Sequence, residues 1–505
     1  MVWSRAFRGS GVLLAGILLA PLTAHAAGFE LTPAGGRANG RAGAVRAGGD
    51  SPMAMFYNPA LLADLPGHHA MVATHLHFGE RCMTRVEVEE MGGDRNPGEA
   101  YPEVCSSGVG IIPELATSFE LADGLALGLG LYAPAAAMRT QRYGDPETAM
   151  LESGELSPLR YLLIESDLFQ AFPSIGFAYE PHPAIRIGAT FGWGITKIGF
   201  ANAAYSELDC LGEDCEEPPE GPFLRADARN AASAQDRFVP RLLLGVHVRP
   251  QPEVPFELGL TYQWTDDVQV NSATLDIETF NLRDAAGNPL ELPNPEGVVP
   301  GVGIHVPQVS QLGFGMRWFQ PLDSPVDTIG DRMSTEMFDI EANVLLTFGK
   351  RVDDFFVDLP DDAVLEAIGD IEVDLPDDVT LPHRWKTQVS LYLGGDYNVV
   401  PGMLALRGGL SFDSNGVQRG YEQLDFTPFR RVGLHLGTTL RIARRIDVSV
   451  AYAHIFQPDR SISVDDAQLR RAIGGDVEPD DAIVTNAGTI TSRYHVLVLE
   501  AGAHF

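Results

Sequence analysis

The sequence predicts an all-β chain: a 14-stranded antiparallel transmembrane β-barrel with an N-terminal hatch, or plug, inside its lumen. Three observations carry this. The chain ends on Phe505, and Ala503, Ala501, Leu499 and Leu497 share one face of the segment Tyr494–Phe505. A terminal aromatic on a two-residue period marks the closing strand of a bacterial outer-membrane barrel. At the other end, Arg5 and Arg8 precede the apolar run Gly11–Leu22, and Ala24-His25-Ala26 has the form of a signal cleavage site. Between the two ends, alternating strands are joined by connections that are short and long in turn.

Taken in order, residues 1–26 form the expected signal peptide, 27–68 the hatch and 69–505 the barrel. The hatch segment is rich in Gly and Ala, carries Arg37, Arg41 and Arg46, and has no strand pattern. Within it, 58–65 reads as a short helix that Asn58 caps, Pro59 enters and Gly67 stops. Structured residues at the mouth of a barrel suggest a plug; a disordered tail is the other reading.

The barrel strands follow from period-two alternation. Leu125, Leu127, Leu129 and Leu131 alternate with Ala126, Gly128, Gly130 and Tyr132; Ile185, Ile187, Ala189, Phe191 and Trp193 alternate with Arg186, Gly188, Thr190 and Gly192. Apolar outside with small or polar inside is the pattern of a lipid-facing barrel with a usable lumen. Strands are placed near 69–79, 112–121, 125–133, 167–180, 184–199, 237–249, 256–270, 307–319, 336–349, 385–397, 403–413, 431–442, 446–457 and 493–505. The short connections are 122–124, 181–183, 250–255, 398–402 and 443–445, with 320–335 as the long exception. Seven long segments alternate with them, near 80–111, 134–166, 200–236, 271–306, 350–384, 414–430 and 458–492. A soluble β-sandwich has little reason to alternate loop length so regularly.

Composition narrows the function. Formal charge is −32, and losing Arg5 and Arg8 with the signal gives −32 − 2 = −34. Such acidity argues against nucleic acid as a partner. Outside the signal no apolar run is long enough for a helical span. Four cysteines, Cys82, Cys105, Cys210 and Cys215, suggest disulfides in an exported chain, with Cys82–Cys105 and Cys210–Cys215 favoured because each pair falls within one expected loop. Closely spaced metal-ligand pairs such as C-x₂-C are missing, so no metal and no cofactor is expected.

The mature start Ala27-Gly28-Phe29-Glu30-Leu31, the stretch Gly36–Gly49 and Phe56-Tyr57-Asn58-Pro59-Ala60 resemble the FadL/TodX family of outer-membrane transporters of long-chain fatty acids and aromatic hydrocarbons. Leu381-Pro382-His383-Arg384-Trp385, Gly394-Gly395-Asp396-Tyr397 and Val450–Phe456 are similar to it as well. The resemblance implies a 14-stranded barrel with an N-terminal hatch. It implies that the extreme N-terminus, with Gly28, Phe29 and Asn58-Pro59-Ala60, touches the ligand and gates passage. It also implies an inward kink in the third strand that opens the wall, matched here by Ala133-Pro134-Ala135. The four cysteines and the acidic segment 350–384 depart from the family pattern.

Each candidate has a plainer alternative. Pro134 serves a kink or simply ends its strand. Arg186, Arg317, Lys386, Arg407 and Arg441 fall on polar strand faces, to receive a fatty-acid carboxylate or, the favoured reading, to brace wall and plug with Asp339, Glu341 and Asp447. Asn58 and Pro59 gate or only cap a helix. Segment 350–384 holds eleven acids and no base between Val352 and Thr380, and repeats Val-Asp-Leu-Pro-Asp-Asp at 357–362 and 373–378; it reads as a solvated acidic rim rather than a calcium loop. Gly128-x-Gly130 and Gly301-x-Gly303 lack the helix a nucleotide loop needs, and no hydrolase or phosphate-loop motif is present. The thirteen histidines are scattered, with His68-His69 at one strand end.

The expectation is a monomeric, non-enzymatic channel in a bacterial outer membrane. It admits hydrophobic small molecules passively, with long-chain fatty acids foremost, by capture at the outer loops and sideways release through a hatch-gated pocket. Its partners are the ligand, membrane lipid and lipopolysaccharide, and the barrel-assembly machinery through the strand ending in Phe505. An outer-membrane lipid hydrolase and a structural or adhesive barrel are the alternatives.

Overall fold

The computed structural model describes residues 33–88, 98–133, 138–208, 224–251, 254–283, 296–327, 329–349, 352–360, 364–366, 372–374, 378–471 and 483–505. The expected signal peptide, Gly28, Phe29, Pro134, Ala135, Cys210 and Cys215 lie outside them.

Fourteen strands close a ring. They are β1 (His68–Arg85), β2 (Val104–Ala122), β3 (Leu125–Tyr132, resuming as Met138–Arg142), β4 (Glu165–His182), β5 (Ile185–Leu208) and β6 (Leu224–Val248). There follow β7 (Phe256–Thr265 and Val268–Arg283), β8 (Glu296–Val306 and Ser310–Pro321), β9 (Glu336–Phe348, resuming as Asp354–Asp358) and β10 (Asp378–Pro382 and Gln388–Val400). Last come β11 (Leu404–Asp413), β12 (Arg431–Ile442), β13 (Ile446–Ile462) and β14 (Gly488–His504). Neighbours are antiparallel throughout, and β14 closes on β1 from His69↔His504 to Arg85↔Gly488. All backbone polar groups of such a ring find partners in the ladder, which is why it can cross a membrane.

The alternation does what its period dictates. Each strand carries large apolar side chains on the outer surface, from Val72 on β1 through Phe177 on β4 and Ile340 on β9 to Leu499 on β14. Inside stand small and polar residues, among them Ala116, Gln263, Glu341, Thr439 and Glu500. All the expected strands are present, but many run further at the long-loop end. β5 continues to Leu208 and β6 starts at Leu224, and their ladder is unbroken to Leu208↔Leu224. Those extensions are rich in alanine, with Ala201, Ala203 and Ala234 buried, so the contrast of large apolar and small or polar residues that locates a strand in sequence fades before the ladder ends.

Cys82 and Cys105 are bonded to each other. They sit opposite one another in the β1–β2 ladder, not in a loop as the spacing suggested. The outer segments pack into a dome with its own core, in which Phe355 stacks on His383 at 3.6 Å between ring centres and meets Phe426 edge-on at 5.7 Å.

Residues 34–50 and 52–56 are almost wholly buried inside the ring. A short helix, Gly36–Gly40, and two 3₁₀ helices, Pro52–Phe56 and Pro59–Asp64, make up the plug. The helix expected after Asn58 is therefore 3₁₀ rather than α. Asn58 caps it by accepting from Ala60 N–H at 3.2 Å, Pro59 occupies the first position, and Leu65 is already extended. Pro59–Asp64 is a short connector from the rest of the plug to β1, the setting in which 3₁₀ turns are frequent.

Candidate functional site

The plug reaches most of the wall. Gly35 N–H donates to Glu114 on β2 at 2.7 Å, and Gly36 N–H to Glu500 on β14 at 2.7 Å. The Val45 and Arg46 N–H groups share Asn343 Oδ1 on β9, and Ala47 N–H donates to Glu341 at 2.8 Å. Thr190 on β5 donates to Met55 O, and Asn58 Nδ2 to Arg46 O and to Val246 O on β6. Inward glycines make this approach possible. A Cβ on Gly259 would lie 2.0 Å from Arg46 O, and one on Gly188 2.5 Å from Ala60 N.

Arginines knit plug and wall. Arg37 pairs with Asp50, Asp447 and Glu500. Arg41 lies 2.9 Å from Asp339 and from Asp396. Of the expected lumen cations, Arg317 pairs with Glu257, Glu336 and Asp339; Arg407 with Asp396 and Asp50; and Arg441 with Asp331, Asp447 and Asp327. Arg186 pairs with Asp64 at 2.9 Å and Glu180 at 2.7 Å. Lys386 is not on a strand face: it falls between the two segments of β10, where its N–H donates to Gly416 O. The strand expected from 385 starts instead at Gln388, after an interruption over 383–387, which leaves Lys386 outside it.

Burial alone would raise the Asp50 carboxyl, but Arg37, Arg407 and Arg41 outweigh it and hold Asp50 well below the usual carboxylate range. Asp64 is also lowered, since Arg332 and Arg186 outweigh its burial. These are charged groups in a dry interior, where losing one partner costs far more than the intact pair contributes.

Two arginines stand apart from these clusters. Arg46 is buried and makes no ion pair among the described residues; its Nε has no hydrogen-bond partner. Arg241 on β6 lies over the rings of Tyr132 at 4.7 Å and Phe172 at 5.1 Å. Both face a small cavity of about 30 Å³ that Pro33, Phe56, Tyr57 and Tyr132 also line. Neither arginine was singled out from sequence. Arg241 was findable by the parity that marked Arg186, because it falls on the inward face of the strand expected at 237–249.

The wall is interrupted at β3. Tyr132 pairs with Phe172 on β4, and Met138 with Phe169. Between these two pairs β3 has five residues, 133–137, of which 134–137 lie outside the described residues, against two on β4, Gln170 and Ala171, so the register shifts by three. On the other side β2 pairs with β3 only as far as Leu115↔Leu131, and the resumed segment of β3 pairs with β4. A cavity of about 550 Å³ occupies this interval, lined by Val109, Ile111, Leu168, Phe169, Arg81 and Tyr494 among others. Ala133, the described member of the expected kink, is buried.

The long exception among the short turns, after β8, folds under the plug. Its helix Arg332–Thr335 is capped by Asp331, and Met333 and Ser334 are buried. Arg332 pairs with Asp64 at 2.7 Å and Glu257 at 3.0 Å.

No protein-family model matches the chain, and no curated protein matches it. Solved structures do match. A FadL homologue of Pseudomonas aeruginosa superposes with a TM-score of 0.67 at 14% identity, covering 95% of this chain and 100% of that one. The toluene transporter TodX of Pseudomonas putida gives 0.56 at 16% identity, covering 94% and 99%. The toluene transporter TbuX of Ralstonia pickettii gives 0.55 at 16%, covering 94% and 100%. At such identities the likeness is one of fold, and it runs along nearly the whole described chain.

Proposed function

We propose that this chain is an outer-membrane channel of the FadL/TodX kind that takes up hydrophobic small molecules without an energy source. The observation that carries the reading is the three-residue register shift in β3 between Tyr132 and Met138, with the cavity of about 550 Å³ beside it. An uninterrupted barrel offers a ligand no way sideways; a wall that parts between β2 and β3 does. The plug of residues 33–66 fills the lumen, so a solute travelling straight through would have to displace it.

Within that reading the ligand is a long-chain fatty acid. Toluene needs only an apolar pocket. A carboxylate needs a cation, and Arg46, which makes no ion pair among the described residues, and Arg241, stacked on aromatic rings, face one cavity with Phe56 and Tyr132. A charge-assisted hydrogen bond is about twice as strong as a neutral one. Apolar outer-loop surface captures the chain, burial drives it inward at about 25 cal/mol per Å², and displacement of the N-terminal arm, with Gly28 and Phe29, frees it towards the gap. The fold neighbours described as transporters favour this over a lipid hydrolase.

The test is uptake of labelled oleate and of labelled toluene by a barrel-deficient host. The intact protein is compared with a variant lacking Ala135–Ala137, which removes the three-residue register shift. Intact protein should speed oleate uptake, and the variant should fall to the empty-host rate while remaining a folded barrel. Unchanged uptake through the variant would refute sideways release, and no uptake by the intact protein would refute the channel.

A further inference from the structure

On the outer surface of β13 and β14, away from lumen and gap, three electron-pair donors converge. Tyr452 and His454 are two residues apart on β13 and so share a face, and the register sets His454 directly opposite His495. His454 Nδ1 lies 3.0 Å from His495 Nδ1, and Tyr452 Oη lies 2.7 Å from that same His495 Nδ1. Phe456 packs edge-on against His454 at 4.0 Å and limits its rotation. His495 is exposed and His454 half-buried.

One hydrogen bond cannot serve both short contacts to His495 Nδ1. An imidazole Nδ1 carries either one proton or one lone pair. If His495 Nδ1 accepts the Tyr452 hydroxyl, it has nothing left for His454; if it donates to His454, Tyr452 loses its acceptor. An electron-pair acceptor placed between the nitrogens satisfies both rings at once.

We propose that His454 and His495, with Tyr452 beside them, form a surface site for a divalent transition-metal ion, Cu²⁺ above all. Metal–imidazole bonds are about 2.0–2.1 Å, so nitrogens 3.0 Å apart subtend about 90–95° at the ion. That is a cis pair in the tetragonal geometry of Cu²⁺ or Ni²⁺, whereas a tetrahedral ion wants its nitrogens about 3.3 Å apart. Exposure lets water complete the shell. The position suits access: it lies where the outward face passes from Val448, Val450 and Leu499 to the charged Arg493, at the long-loop end of the apolar belt. A bound ion clips β13 to β14, one strand from the seam with β1.

The test is titration of the purified full-length protein in detergent micelles with Cu²⁺, followed by electron paramagnetic resonance. Wild type should bind one equivalent with an axial spectrum split by two imidazole nitrogens. His454→Ala/His495→Ala should lose that signal, either single variant should bind at least 100-fold more weakly, and Tyr452→Phe should bind less than 10-fold more weakly. Ni²⁺ and Zn²⁺ should compete less well, in the usual affinity order. A wild-type spectrum showing fewer than two nitrogens overturns the site whatever the variants do. So does a double variant with wild-type stoichiometry and spectrum, which would place the copper on other histidines.

Discussion

Arg332 Nη2 lies 2.7 Å from Asp64 Oδ2, so the long turn after β8 is tied to the last residue of the plug's final helix. The same guanidinium reaches Glu257 on β7 at 3.0 Å. The turn is thus a strap across the short-turn end of the lumen, and its extra length is spent on reaching the plug. Arg332→Ala leaves Asp64 with Arg186 alone and should cost about 1–3 kcal/mol, less than a fully buried pair because both side chains keep some exposure. Single-channel recording in planar bilayers should show ion-conducting openings that wild type lacks. Silent bilayers with the variant would show that the strap does not hold the plug.

Asp50 sets a limit on acid release of the plug. Its folded pKa lies below the unfolded value of about 3.9, because Arg37, Arg407 and Arg41 outweigh the effect of burial. A depressed carboxylate contributes stability above its unfolded pKa and loses it as pH falls through the folded value. Between pH 8 and pH 5 Asp50 should therefore make a constant contribution to docking, read as the difference in hydrogen-exchange protection of residues 34–56 between wild type and Asp50→Asn. Asp50→Asn should lower that protection equally at both pH values. A difference between wild type and Asp50→Asn that shrinks from pH 8 to pH 5 would contradict the depressed value.

The strands and the site were not equally legible. Period two located all the membrane-crossing strands because one face must meet lipid and the other must not. It gave little purchase on the outer halves of β5 and β6, where the buried face is built from small residues such as Ala201, Ala203 and Ala234 rather than large apolar ones. The plug's existence followed from Asn58-Pro59 and the arginine-rich stretch, but not its partners. That Arg37 meets Asp447 and Glu500 depends on closing a ring over more than four hundred residues. Lys386 was misjudged because β10 pauses before Gln388. The anomalous length of 320–335 was visible in the sequence, while its purpose needed Asp64 in three dimensions.

Arg46 and Arg241 should separate the two ligand classes. Losing one charged hydrogen-bond donor costs about 1.5–3 kcal/mol, a 10- to 150-fold loss of affinity. Arg241→Met and Arg46→Met should each weaken oleate binding by that factor and leave toluene uptake within twofold. Isothermal titration with oleate and with its methyl ester checks this: the ester should bind wild type and variants alike. Equal loss for acid and ester would mean that the arginines shape the pocket and do not read charge.

Glycine at position 259 should be required for plug docking. A Cβ there would lie 2.0 Å from the carbonyl oxygen of Arg46 and 2.6 Å from its carbonyl carbon, both backbone atoms that no rotamer change removes. Relief demands that the segment carrying Arg46 move, and that segment also holds the Asn343 and Asn58 hydrogen bonds. Gly408 on β11 is the matched control, since a Cβ there meets nothing within 4 Å. Both substitutions to alanine swap the same atoms on a barrel strand, so strand propensity cancels between them. Gly259→Ala should raise hydrogen exchange across 43–58 at least tenfold, while Gly408→Ala should leave it unchanged. Both barrels should keep the same resistance to unfolding in detergent, because the ladder itself is untouched. Equal exchange in the two variants would mean that the plug is not held by backbone contact with the wall, and that its arginines alone keep it in place.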